Sequence, residues 1–179
     1  MKAVLSNRIY LSANKELMNR LERELTYTIA PRIPSDPPIV FKTFRYVREG
    51  LCSVPMGRED LIPSDYEIVD KRVVNEIEHP EFAYKLRPSQ QMAYDEVYDN
   101  SIINAWVSWG KTITALAIAA KLGQKTLVVT HTTNLRNQWE KEVKKSFGYT
   151  AGRIGSGMFN IDAPICLSLI HISEPTRPY

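Results

Sequence analysis

The run Ala105-Trp106-Val107-Ser108-Trp109-Gly110-Lys111-Thr112 constrains this chain more than any other stretch. A small residue, four intervening positions and Gly-Lys-Thr is the spacing of a phosphate-binding loop. Such a loop joins a strand to a helix. Ser101-Ile102-Ile103-Asn104 predicts the strand, and the Ala-, Leu- and Ile-rich residues 111–122 predict the helix, with Gly123 as a left-handed C-cap.

The residue types suit the chemistry of a triphosphate. Its oxygens need several converging backbone N–H groups, which a tight turn into a helix N-terminus supplies together with the positive end of the helix dipole. Gly110 allows the turn and the close approach. The Lys111 ammonium would reach the β and γ phosphates, and the Thr112 hydroxyl would complete a Mg²⁺ shell that otherwise keeps its waters. ATP and Mg²⁺ are therefore the expected cofactors, with Lys111 and Thr112 as the residues closest to the chemistry.

At 179 residues and 44% hydrophobic, the chain can bury one core or two small ones. No run of residues is long and apolar enough for a membrane span, and Met1 to Arg8 turns polar too soon for a signal peptide. Cys52 and Cys166 lie far apart without metal-ligand spacing, so free thiols in a reducing, cytoplasmic setting are expected. A net charge of +3 selects no partner by itself. Locally, Lys121, Lys125, Arg136, Lys141, Lys144 and Lys145 outweigh Glu140 and Glu142, an excess that could face phosphates or simply form a solvated helix face.

Residues 1–84 predict a small α+β accessory domain. Residues 3–10 look extended, residues 14–25 carry Leu17, Leu21 and Leu25 at helical spacing, and four prolines between 31 and 38 forbid regular structure. Residues 39–47 and 51–55 flank Arg48-Glu49-Gly50 as a hairpin, and residues 66–74 form a further strand. His79, before Pro80, reads as a linker residue.

Lys85-Leu86-Arg87-Pro88-Ser89-Gln90-Gln91 opens the second segment, with Pro88 at the first turn of a helix to about Tyr98 and Met92, Ala93 and Val97 inward. A glutamine amide offers a donor and an acceptor side by side, which matches the N6/N7 edge of adenine. Further on, Thr126-Leu127-Val128-Val129-Thr130 reads as a buried parallel strand that would close a βαβ unit around the phosphate loop. His131-Thr132-Thr133-Asn134 follows at its C-terminal edge. Asn134 is a candidate N-cap for a helix with Leu135, Trp139, Val143 and Phe147 inward and Gly148 at its end.

On these residues the chain resembles the superfamily 2 helicases. Leu86-Arg87-Pro88-Ser89-Gln90 is similar to their Leu-Arg-Pro-Tyr-Gln form of the Q motif, and the loop headed by Ala105 is similar to their motif I, although Ser108 and Trp109 depart from the commoner Thr-Gly-Ser-Gly-Lys-Thr. Trp109 either stacks on a partner or fills the space beneath the loop. The strand, polar turn and Leu-x-x-Gln-Trp of residues 126–139 resemble motif Ia, with His131 in place of the usual proline. Ile154-Gly155-Ser156-Gly157 resembles the glycine-rich motif Ib turn, a plain loop fitting nearly as well. The likeness covers residues 85–166 and is closest to the XPB-like and phage UvsW-like DNA helicases.

The resemblance implies an α/β fold, a partial RecA-like P-loop domain with a parallel sheet and flanking helices, preceded by the small α+β domain. It implies ATP bound by Arg87, Gln90, Ala105, Ser108, Trp109, Gly110, Lys111 and Thr112. Nucleic acid, DNA in this branch, would be held through its sugar-phosphate backbone by Thr132, Thr133, Arg136 and Gln138 without reading sequence. The function implied is that of an ATP-dependent DNA helicase or translocase. A small-molecule kinase and a non-enzymatic nucleic-acid-binding module are the rival readings.

Family members continue to a Walker B Asp-Glu box and a second RecA-like lobe, both needed for hydrolysis. Residues 167–179, Leu167-Ser168-Leu169-Ile170-His171-Ile172-Ser173-Glu174-Pro175-Thr176-Arg177-Pro178-Tyr179, instead resemble the in-frame translation of a sequencing adapter. The expectation is a natural sequence ending near Cys166, in a fragment that binds nucleotide and DNA without turning ATP over.

Overall fold

A computed structural model describes residues 1–170 apart from Arg32, Pro34 and Ser156. The chain divides into two compact units, one of Met1–Val73 and one starting at Val74.

In the first unit, β1 (Lys2–Leu5) and β2 (Ile9–Ser12) pair antiparallel, and α1 (Lys15–Glu24) follows with Asn14 as its N-cap, its side chain accepting from the Leu17 N–H at 2.8 Å. β3 (Thr26–Ile29) pairs with β4 (Ile39–Lys42) as a separate ribbon. β5 (Arg45–Arg48) and β6 (Leu51–Val54) form the expected hairpin, with Gly50 at φ 71° in its turn. β7 (Glu67–Asp70) adds in parallel to β1, giving the order β5-β6-β2-β1-β7. Leu21 and Leu25 of the expected helical stripe are fully buried with Ile9, Leu11, Cys52 and Val54.

The single strand expected over residues 39–47 is two strands serving different sheets. Between them the Thr43 N–H donates to the Leu25 carbonyl at 3.0 Å, and Phe44 packs on the core, so the chain changes partners there.

In the second unit, α2 (Pro88–Glu96) and α3 (Lys111–Leu122) precede β8 (Thr126–Thr130), α4 (Thr133–Phe147), β9 (Gly152–Gly155), β10 (Met158–Phe159) and β11 (Ile165–Leu169). The sheet order is β10-β9-β11-β8, with β8, β11 and β9 mutually parallel and β10 antiparallel at one edge. This is a mixed α/β layer. Leu116 of α3 and Val143 and Phe147 of α4 pack with Ile165 and Leu167 of β11, and Trp139 joins this core from its edge.

Several expectations change here. Residues 74–84 belong to this unit and not to the accessory domain: Lys125 N–H donates to Asn75 O, Ile77 N–H to Gly123 O and Ala83 N–H to Ser146 O. Phe82 stands 5.5 Å from Phe147, and His79, expected in a linker, approaches the Gln124 carbonyl at 3.2 Å and tilts against Phe147.

Residues 101–104 form no strand. Ile102 is 97% exposed, because an apolar run fixes a preference for burial but not a ladder partner. The parallel crossover that does form runs from β8 through α4 to β9, with β11 inserted between them.

β8 is an edge strand in place of the fully buried one expected. β11 flanks only one side of it, and Leu127 and Val129, which share one face of the strand, remain exposed. Along α2 only Gln90 is buried, and Met92, expected inward, faces solvent.

The expected tail at residues 167–179 contributes Leu167, Ser168 and Leu169 to β11. Leu167 pairs with both β9 and β8, Ser168 and Leu169 pair with β8, and all three are buried. Residues 171–179 lie outside the described residues. Among the described residues no helix is long and apolar enough to cross a membrane.

Candidate functional site

The Q-motif-like turn and the phosphate-loop-like turn are built as one object, and Trp109 is the joint. Its backbone carbonyl accepts from Gln90 Nε2 at 2.9 Å and also from Arg87 Nη2. Its indole Nε1 donates to Ser89 Oγ at 3.1 Å, and the ring is buried, filling the space beneath the loop. Gln90, only 3% exposed, also uses Oε1 to accept from the Arg87 N–H at 2.9 Å. This leaves its amide one N–H and one lone pair.

The same geometry explains why glycine is required next. Gly110 sits at φ 98°, and a Cβ there would collide with the Gln90 amide and lie 3.0 Å from Arg87 Nη2. Ser108 is the one described non-glycine residue at positive φ, 64°, so the turn places it in the left-handed region as well.

Lys111 begins α3, and its ammonium is folded back onto the Ala105 and Trp106 carbonyls at 3.0 and 2.8 Å. Thr112 is half-buried behind it. Thr114, fully buried, anchors the turn by donating from both N–H and Oγ1 to the Gly110 carbonyl. Trp106 and Val107, at the tip, are exposed.

The expected adenine clamp and phosphate loop are thus in direct contact. The pairing of Ser89 with Trp109 goes beyond what the motifs predict, though its signal is present in the sequence. The two departures from the family pattern are complementary, a small residue where the Q motif carries tyrosine and a bulky one where the loop is usually small.

The turn after β8 differs from expectation in its cap. Thr132, not Asn134, is the N-cap of α4, its hydroxyl accepting from the Leu135 N–H at 3.3 Å. Hydroxyls cap well from an extended residue, and Thr132 has φ −134° and ψ 150°, whereas Asn134 already lies in the first turn. Thr132, Thr133 and Gln138 are exposed.

Arg136 is not exposed with them. It is 6% accessible, and its Nε and Nη1 have no hydrogen-bond partner among the described residues. The basic excess of this region is accordingly thinned: Lys121 is drawn onto α2, and Lys145 pairs with Glu142 at 3.2 Å. Glu140 is taken by Arg153, which meets it through Nε and Nη2 and ties α4 to β9. Gly155, at φ 112°, and Gly157 flank a tight β9–β10 hairpin, while Ser156 of the expected motif Ib turn is outside the described residues.

No cluster of three or more His, Cys, Asp or Glu side chains able to hold a metal occurs among the described residues. Thr112 is the hydroxyl beside Lys111 that the sequence motif assigns to a divalent ion, whose remaining ligands would then be phosphate oxygens and water. In the first unit, a hollow of about 790 Å³ between α1 and the β4–β5 segment mixes Met18, Phe44 and Tyr46 with Lys42 and Glu22, which pair with each other at 2.8 Å.

Comparison with known proteins agrees with this geometry. A probable helicase D10 of Escherichia phage T5 is 41% identical over 174 residues, an alignment covering 95% of this chain and 38% of that relative. The chain therefore spans well under half the length of the curated relative it matches. A family model described as "Type III restriction enzyme, res subunit" matches residues 83–173, which takes in α2, the phosphate loop, α3, β8 and α4. With half of its length matched by that model, the chain belongs to the Type III restriction enzyme, res subunit family, whose domain is of the superfamily 2 helicase type.

Proposed function

We propose that this chain carries the ATP-binding and DNA-binding elements of an ATP-dependent DNA helicase or translocase. The observation that carries the reading is the joint at Trp109, where Arg87, Ser89 and Gln90 grip the residue that leads into Gly110-Lys111-Thr112. The donor and acceptor left on Gln90 are the pair an adenine edge requires. The loop amides, the N-terminus of α3 and Lys111 would take the triphosphate, with Thr112 and Mg²⁺ completing the phosphate end.

DNA would meet the turn after β8. Thr132, Thr133 and Gln138 offer hydroxyl and amide groups beside the N-terminus of α4, a surface suited to backbone phosphates and blind to base sequence. In the intact protein, nucleotide-driven closure of two lobes would turn this grip into movement along one strand. The XPB-like and UvsW-like branch is the form of helicase on which this proposal rests. A kinase has no use for the Gln90 motif or for the polar turn after β8, and a simple binding module has none for the Gln90–Trp109 joint.

The test is equilibrium binding of Mg-ATP to the chain and to Lys111→Ala. Loss of at least tenfold in affinity, with the far-UV spectrum unchanged, is expected. An unaltered ATP affinity in Lys111→Ala would overturn the reading.

A further inference from the structure

Helix α2 presents Gln90 to the turn before α3, and apolar burial holds it mainly through Val97 at its C-cap. Gln90 is the one buried residue within the helix, and Met92 faces solvent. The ends of α2 are held by polar ties as well. The start of α2 is joined to Trp109 as described.

The end of α2 is gripped by Lys121, from the last turn of α3. The Lys121 ammonium donates to the carbonyls of Tyr94, Asp95 and Val97 at 2.5, 3.3 and 3.1 Å. All three of its hydrogens are thereby used on carbonyls that a helix C-terminus otherwise leaves unpaired, at the negative end of the dipole. The same nitrogen lies 4.0 Å from the centre of the Tyr98 ring and 4.8 Å from that of Tyr94, within cation–π range.

Two helices joined start to start and end to end cannot slide past one another. α3 begins on the phosphate loop and finishes on the carbonyls of α2, while α2 begins on the loop again. Gln90 stands where this closed frame puts it.

We infer that Lys121 is a positioning residue for base recognition: by fixing the carboxyl end of α2 it keeps Gln90 in register with the phosphate loop, so that purine base and phosphates are bound together. The inference rests on the nucleotide-binding reading above and adds to it a residue that touches no nucleotide.

Binding of ATP and of tripolyphosphate, which has no base, separates this role from mere stabilisation. Lys121→Met should weaken ATP by about five- to tenfold, while tripolyphosphate stays within about twofold and Lys121→Arg restores most of the ATP affinity. Tyr98→Leu removes only the ring, from an exposed position, and should weaken ATP alone by about twofold. It also decides the matter if Lys121→Met fails to fold, an unchanged ATP affinity then counting against the inference.

An unchanged ATP affinity in folded Lys121→Met, or equal losses for both ligands, would overturn the role of Lys121 and leave nucleotide binding standing. A wild-type chain that binds neither ligand would overturn both.

Discussion

The side-chain amide of Gln90 donates to the backbone carbonyl of Trp109 at 2.9 Å, nineteen residues along the chain. That carbonyl belongs to the residue just before Gly110, so the amide holds the loop as well as being the group proposed to meet a base. Gln90→Ala should therefore cost more than a base contact. Trp109 O keeps Arg87, while the Arg87 N–H, on an exposed residue, loses its Gln90 acceptor, a net cost of about 0.5–1.5 kcal/mol. We expect ATP affinity to fall about tenfold or more and the melting temperature to drop by several degrees, both read on the same samples. A variant that loses neither would show that the joint is idle.

Arg136 tests the nucleic-acid surface by elimination. Its guanidinium is buried with two nitrogens unpartnered among the described residues, so a flexible apolar side chain of similar length should suit the site better. Arg136→Met is expected to raise thermal stability by about 1–4 kcal/mol. The dependence of DNA affinity on salt should keep its slope. Were the guanidinium bound to a DNA phosphate, its removal would reduce that slope by about 0.9, and finding this would return Arg136 to the interface.

Alkaline pH should act on the second unit through Tyr149. Burial pushes its phenol up to about 12 from an ordinary value near 10, against a smaller opposing pull from the Ile165 backbone. A folded-state value raised above the unfolded one means the stabilisation is complete below pH 10 and is lost as pH rises through about 12. The buried hydroxyl has no well-formed hydrogen bond among the described residues, so Tyr149→Phe should fold as well at pH 7 as the parent. Denaturant titrations at pH 8, 10 and 11.5 should show the parent weakening at the last of these more than Tyr149→Phe. Parallel decline in the two proteins would rule the phenol out.

Much of the site could be read from the sequence because its constraints are local. A left-handed glycine closes each of α3 and α4 where expected, at Gly123 and Gly148, since a C-cap is decided within a turn, whereas the N-cap of α4 falls two residues before the one expected. The glycine turn into α3 at Gly110 is legible for the same reason. What escapes depends on partners distant in sequence. Whether Ile102 is buried turns on a neighbouring strand, and whether Leu127 and Val129 are covered turns on what packs over their face of β8. Lys121 reads as one charge in a basic cluster, because nothing local announces that three carbonyls of another helix will converge on it. The correction at residues 74–84 is of the same kind, their main-chain bonds running to Gly123, Lys125 and Ser146.

On the proposed reading, the folded-back ammonium of Lys111 would make ligand entry an exchange of partners. It already has oxygens of its own at Ala105 and Trp106, so an arriving phosphate would compete with the chain's own backbone for those contacts. Observed affinity then reports a difference between two sets of charge–oxygen contacts.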